Sequence, residues 1–301
     1  VPSGYGARCW SEVTQMNKAL CKAMQLLPDS AYIKLKYYHH FHRFPDLKHP
    51  KSYNEKLQWL KLHDRNPLYI TLVDKFEAKK YISDIVGEQY VIPTYGVWDR
   101  FDEIDFNALP DKFVLKTTHD CGGVVICKDK AKFNTSKAKA FLEHHQKFNY
   151  FYEGREWAYK NVKPRIIAEQ YLENQDSADI MDYKIFVFGG EAKALFVASD
   201  RQNKNEETKF DFYDMDFRHL DIRNGHPNST RIIERPINLK KMQMLAEKLA
   251  GDLPQIRVDF YEVQGQVYVG ELTFFHFSGF VPFEPEKWDE IFGSWINLPD
   301  R

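Results

Sequence analysis

No stretch of this chain approaches the roughly 18 consecutive apolar residues of a membrane-spanning helix, which excludes a simple spanning segment from the reading. No segment matches GxxxxGK[ST], so there is no P-loop. Cysteine is scarce. Cys9, Cys21, Cys121 and Cys127 form no CxxC pair and no Cys/His cluster of zinc spacing, which argues for reduced thiols rather than a metal module. Neither a Ser-His-Asp nor a Cys-His signature is present, so no side-chain nucleophile is indicated. An excess of one charge is missing as well: the formal net charge of −1 points to no nucleic-acid partner. No charged-then-apolar leader precedes a small-residue cleavage site, and the opening Val1-Pro2-Ser3-Gly4 without Met reads as a scar or truncation. The expectation is a cytoplasmic protein.

What is present is a large aromatic inventory. The 301 residues include 23 Phe, 17 Tyr and 6 Trp within 43% apolar content, ample for a buried core and incompatible with disorder. Residues 1–65 hold eleven Lys/Arg against five Asp/Glu, so the front is basic and the remainder acidic. Residues 11–27 read as a helix stopped by Pro28. Ser52-Tyr53-Asn54-Glu55 is a capping box opening a helix through Leu62, and Pro67 begins another through Val86, stopped by Gly87. After this helical front the periodicity changes. Strands are expected at 112–116, 124–127 and 166–172, with a polar helical stretch at about 136–160. Gly189-Gly190 marks a hairpin between 181–188 and 191–199. Leu239, Met242, Leu245, Ala246 and Leu249 recur at helical spacing before Gly251, and 255–263 with 266–273 form a last hairpin. Strand pairs mixed with helices, without regular βαβ alternation, predict an α+β fold.

Several residues could carry chemistry. Lys116 lies in an apolar strand, where an ammonium is costly unless it meets an anion, and the Gly122-Gly123 loop behind it could lay backbone N–H groups over phosphates. Asp259 and Glu271 on neighbouring strands would suit a hard divalent cation, which takes a few carboxylates and otherwise phosphate or water. Opposing them requires a three-residue loop Gln264-Gly265-Gln266, because a two-residue Gln-Gly turn would put Gly270 opposite Asp259. Asp200-Arg201 ends a strand where a cation could meet a transferring phosphate. A surface reading of each acid or lysine taken singly remains open.

In their order, the segments PKSYNEKLQWLKLHDRNPLY (50–69), LVDKFEAKKYI (72–82), KFVLKTTHDCGGVVI (112–126), IIAEQYLE (166–173), DYKIFVFGGE (182–191), RVDFY (257–261) and GELTFFHFSGF (270–280) resemble the TupA-like ATP-grasp family. The resemblance implies an ATP-grasp fold, with a helical front at 1–90, a central subdomain at 91–172 and a C-terminal subdomain at 173–301. It implies an ATP-dependent ligase that uses Mg²⁺ and joins a carboxylate to an amine, a sugar acid or amino acid in surface-polysaccharide synthesis, with a nucleotide-linked sugar acid as one partner. By the same resemblance Lys75 contacts nucleotide, Lys116 holds the α/β-phosphates, and His119 to Gly123 form a mobile loop over them, His119, Gly122 and Gly123 included. Glu169, Gln170, Tyr171 and Leu172 resemble the adenine hinge. Asp182, or Asp179, is placed for the ribose. Arg201 and Arg257 resemble the cations on the transferred phosphoryl group; Asp259 and Glu271 match the Mg²⁺ ligands, with Thr273 a weaker third where the superfamily usually carries Asn. Ser278 and Gly279 resemble the turn beside the acceptor, while His276 and Phe277 stand where smaller residues are common.

Other readings compete. Asp214-Met215-Asp216 matches the DxD of glycosyltransferases that bind a nucleotide sugar through a metal. A sugar or small-molecule kinase could share the fold. A non-enzymatic relic would bind a partner through the basic aromatic front, 37–43. Within that front His39 and His42 could share a helical face, but no third metal ligand is evident.

Overall fold

The computed structural model describes residues 24–174, 180–201 and 206–300. Most of the expected first helix, Cys9, Cys21 and the alternative ribose ligand Asp179 lie outside the described residues. The front is helical, with α1 at Asp29–Phe41 and α2 at Tyr53–His63. The capping box forms as read: Glu55 N–H donates to Ser52 Oγ at 3.3 Å, and Ser52 N–H to Glu55 Oε2 at 3.4 Å. The single helix expected from Pro67 to Val86 is instead two, α3 (Leu68–Val73) and α4 (Glu77–Val86). Asp74 breaks it. Its Oδ1 accepts the N–H groups of Phe76 at 2.8 Å and Glu77 at 3.3 Å, the local capping by which Asp competes with helix continuation.

A four-stranded antiparallel sheet follows, with β1 (Thr94–Trp98), β2 (Phe113–Thr117), β3 (Val124–Cys127) and β4 (Ile166–Gln170) in the order β1-β4-β2-β3. Because side chains alternate along a strand, Phe113, Leu115, Ile166 and Ala168 face Ala138 and Leu142 of α5 (Thr135–Gln146). Val114, Lys116 and Glu169 therefore point the other way. The polar stretch expected as one helix ends at Gln146; a short α6 (Phe151–Gly154) and a 3₁₀ turn (Trp157–Asn161) complete it.

The second sheet has six strands, β5 (Asp182–Phe188), β6 (Glu191–Ser199), β7 (Lys209–Asp214), β8 (His219–Leu220), β10 (Gln255–Val263) and β11 (Gln266–Thr273), ordered β11-β10-β5-β6-β7-β8. A small ladder pairs β9 (Arg223–Asn224) with β12 (Phe283–Glu284). On one face α7 (Leu239–Ala250) buries Leu239, Met242, Leu245, Ala246 and Leu249 against β5, β6 and β10. The other face is only partly covered. There Phe186 meets Tyr53 of α2 and Phe292 of α8 (Lys287–Trp295), with ring centroids 6.3 and 5.3 Å away. The rest of that face, from Asp182 to Glu271, remains open toward the four-stranded sheet.

Register on β10 and β11 decides the site. The loop is the two-residue turn Gln264-Gly265, both with positive φ (51° and 76°) as a type I′ hairpin requires, not the three-residue loop expected. Asp259 nevertheless faces Glu271, because the register shifts between Asp259 and Phe260 and leaves Gly270 as the extra residue of a β-bulge. A side chain at Gly270 would bring its Cβ to 2.6 Å from the Tyr261 ring. Glycine there lets the strand bend and aligns the two carboxylates.

Candidate active site

Between the sheets lies a cleft of about 670 Å³. Its four-stranded wall is apolar at Val114, Val124 and Ile126, with Ile92, Leu172 and Ile180 closing the slot. Into this wall is set one charged group. Glu169, 4% exposed, takes Lys116 Nζ on Oε2 at 2.6 Å and Lys79 Nζ on Oε1 at 2.7 Å. Burial alone would raise the Glu169 carboxyl, but the two ammonium groups outweigh it and hold it at about 2. The pair of lysines around one acid leaves a net positive charge facing an apolar slot. Lys75 comes from the helix break: its N–H donates to Thr118 O at 3.0 Å and its ammonium to the Asp120 carbonyl.

The six-stranded wall is densely charged. Lys184 and Asp259 are direct cross-strand partners and form an ion pair, and Lys184 also reaches Asp182 Oδ2 at 2.8 Å. Arg201 pairs with Asp182. Arg257 grips Asp259 through two nitrogens, Nε to Oδ1 at 2.7 Å and a terminal nitrogen to Oδ2 at 2.8 Å. Its guanidinium also donates to Thr273 Oγ1 at 3.0 Å and to His276 Nδ1 at 2.6 Å, while His276 Nε2 donates to Asn224 Oδ1 at 2.8 Å. That chain sets the imidazole tautomer. Burial, with Arg257 and Lys184 adding to it, keeps His276 far below its ordinary value and hence neutral. For Asp259 burial acts upward, and Arg257 and Lys184 reverse it.

Most residues singled out in the sequence converge here. Lys75, Lys116, Gly122, Glu169, Gln170, Tyr171, Leu172, Asp182, Arg201, Arg257, Asp259, Glu271, Thr273 and Ser278 all border the one cleft. Three do not. His119 is buried with Nε2 at 3.1 Å from Phe148 O, facing away from the cleft. Gly123 packs on Thr117, where a Cβ would lie 1.8 Å from the hydroxyl. Gly279 is turned toward α2, its carbonyl accepting Gln58 Nε2 at 2.6 Å. The loop expected to move is anchored along Thr117 to Asp120, all buried, with Asp120 held by Thr117 and His145. Only Cys121 and Gly122 border the cleft from that loop. Asp182 is engaged by Lys184 and Arg201 rather than displayed singly, and the Gln170 N–H is taken by Pro93 O at 2.9 Å. Asp214 and Asp216 lie outside the cleft; Asp214 Oδ1 accepts the N–H groups of Asp216 and Arg218 in a turn, which removes the DxD reading.

Sequence reasoning overlooked Lys184, although the signal was available: a lysine in the apolar strand DYKIFVF is costly for the same reason as Lys116. It also overlooked Lys79, Lys61 and Glu156, which only tertiary packing brings together. Among the described residues no group of three or more His, Cys, Asp or Glu gathers to hold a metal, and no helix is long and apolar enough to cross a membrane. Two carboxylates do fit a cation that takes its remaining ligands from phosphate. Glu271 is half-buried in the cleft directly opposite Asp259; among the described residues it makes no hydrogen bond or ion pair, Arg257 acts on it only through space, and a divalent cation would suit its oxygens.

The comparisons bear on this arrangement. No curated protein matches the sequence. D-alanine–D-alanine ligase from Bacillus anthracis complexed with ATP is similar in structure, at 16% identity and TM-score 0.41, covering 67% of this chain and 55% of its own. An L-amino acid ligase from Bacillus licheniformis is 12% identical with TM-score 0.47, covering 75% and 49%; D-alanine–D-alanine ligase from Helicobacter pylori is 15% identical with TM-score 0.42, covering 83% and 70%. The chain thus spans about half the length of the Bacillus structures. The TupA-like ATPgrasp family model matches residues 55–297, from the capping-box glutamate to beyond the last helix. With two α+β layers enclosing a lysine-lined slot and an acid-bearing hairpin, and with that match over most of its length, the chain belongs to the TupA-like ATP-grasp family and has the ATP-grasp fold.

Proposed function

We propose that the protein is an ATP-dependent ligase that joins a carboxylate to an amine through an acyl phosphate. The observation that carries this reading is the opposition of Asp259 and Glu271 beside Lys184, Arg201 and Arg257, facing Lys116 across one cleft. A carboxylate and a triphosphate repel each other, and this set of cations offsets that repulsion where the two anions meet. In this reading Asp259 and Glu271 hold Mg²⁺, which supplies charge neutralisation on the phosphates. Lys116 and Lys75 bind phosphate oxygens, and Gly122 brings backbone close to them. The adenine lies in the Val114–Ile126 slot against the backbone of Tyr171 and Leu172. Residues 91–172 and 173–301 act as the two gripping halves, with 1–90 closing one end.

The substrate carboxylate oxygen attacks the γ-phosphorus and ADP leaves. The amine nitrogen then attacks the acyl carbon, the C–O bond to phosphate breaks, inorganic phosphate departs, and the nitrogen loses its surplus protons to solvent. Arg201 and Arg257 stabilise the phosphoryl group during both transfers. A sugar acid, free or nucleotide-linked, or an amino acid in cytoplasmic surface-polysaccharide synthesis is the substrate this family membership favours. The test is ADP release with MgATP against uronic acids, UDP-uronic acids and amino acids, each with an amine partner and with products identified by mass spectrometry. Release that requires both a carboxylate and an amine supports ligation; release with an alcohol in place of the amine would make the protein a kinase. Lys116→Ala should abolish release while the far-UV circular dichroism stays unchanged.

A further inference from the structure

The cleft is also lined by Lys36 and His40 of α1, Glu153 of α6, Glu156 beyond it, and Ser278 with Phe280. α1 lies ahead of the segment matched by the family. Glu156 is 4% exposed yet borders the cleft. Behind it Lys61, 1% exposed, donates to Gly154 O at 2.6 Å and Ser278 O at 2.9 Å, approaches Ser278 Oγ at 3.5 Å, and sits 4.3 Å over the Phe280 ring. The Lys61 ammonium is therefore occupied by protein acceptors, and the acid of the pair is the member that faces the cavity.

Burial pushes the Glu156 carboxyl upward, Lys61 and a Ser278 hydrogen bond pull it back, and Glu271 adds to the rise. Two facing carboxylates in a cleft built for anions are unfavourable unless each meets a cation. Glu271 has one in the ligase reading. Glu156 has Lys61 behind it, and a substrate ammonium on its cavity side would offset Glu271 as well. On the same wall Lys36 donates to Glu153 O at 2.6 Å and lies 5.0 Å from the Phe280 ring, close enough to act on both Glu156 and Lys61. Both lysines lie over the Phe280 ring, Lys36 at 5.0 Å and Lys61 at 4.3 Å.

We propose that Glu156 and Lys36 form the amine-substrate subsite and that the amine is an α-amino acid, its ammonium on Glu156 and its carboxylate on Lys36. This rests on the ligase reading. It places the nucleophile beside Glu271, where the acyl phosphate forms.

Thermal unfolding of the full chain in saturating MgATP, with a panel of L- and D-amino acids and their carboxamides as probes, tests it. At least one amino acid should raise Tm by about 3 °C at roughly ten times its dissociation constant, and its carboxamide should not. Glu156→Gln and Lys36→Met should each remove that rise while the rise from MgATP alone persists. Should Glu156→Gln leave Lys61 too poorly compensated to fold, the double variant Lys61→Met/Glu156→Gln removes the pair together. The proposal is overturned if no amino acid stabilises the wild type, if the rise survives in these variants, or if carboxamides match the acids. Loss of the MgATP rise from the wild type would instead overturn the ligase reading.

Discussion

On the four-stranded sheet two lysines share one buried glutamate in an otherwise apolar wall, whereas on the six-stranded sheet Lys184, Arg201 and Arg257 interleave with Asp182, Asp259 and Glu271. The first wall keeps surplus positive charge, suited to holding an anion that is already bound. The second is balanced, so its cations are held in place by acids, and in the proposed reaction phosphate and a divalent ion would take over as their partners. Within that balance the acids differ. Asp259 is ion-paired to two cations, whereas Glu271 makes no ion pair among the described residues and meets Arg257 only through space.

The sharpest way to break the comparison is Asp259→Asn. It leaves Arg257 and Lys184 buried without their shared acid and should cost about 3–5 kcal/mol, read from urea unfolding, together with loss of ADP release. Glu169→Gln should be nearly as costly on the other wall. A carboxyl held at about 2 instead of its ordinary value near 4.5 corresponds to about 3 kcal/mol at neutral pH. Because its folded value is depressed, this stability is present above pH 4.5 and is lost as pH falls toward 2. The stability gap between wild type and Glu169→Gln should therefore close across that window; a gap independent of pH would separate Glu169 from the two lysines.

Gly270→Ala probes the bulge. Its Cβ would press on the Tyr261 ring, and a loss of about 1–3 kcal/mol is expected, with a fall in ADP release as Glu271 shifts from Asp259. The smallest effect on stability belongs to Glu271→Gln. With no hydrogen bond or ion pair to a described residue to lose, only a through-space attraction to Arg257, it should change unfolding by less than about 0.5 kcal/mol, while ADP release drops on the order of 100-fold or more. A large stability loss there would show that Glu271 serves the fold and not a cation.

Local chemistry was legible wherever a short window contains the whole cause. The Ser52/Glu55 box, the Gly189-Gly190 turn and the α7 apolar stripe each form from residues adjacent in sequence. Lys116 was legible because an ammonium in an apolar strand demands a partner; its partner Glu169 had been assigned to the hinge. The break at Asp74 was not legible, since one capping carboxylate competes with a continuous helical pattern and tertiary anchoring to Arg165 at 2.8 Å helps decide the contest. His119 illustrates another limit: position in a loop does not say which way a side chain turns.

Sequence alone determined the α+β class, the helical front, the lysine strand and the acid-bearing hairpin, because propensity, capping and alternation act over a few residues. Only the tertiary structure decided that Asp259 meets Glu271, through a bulge rather than a longer loop. It alone brought Lys61, Glu156 and Lys36 to one end of the cleft, since pairing a buried charge depends on groups some 100 residues apart that no local pattern relates.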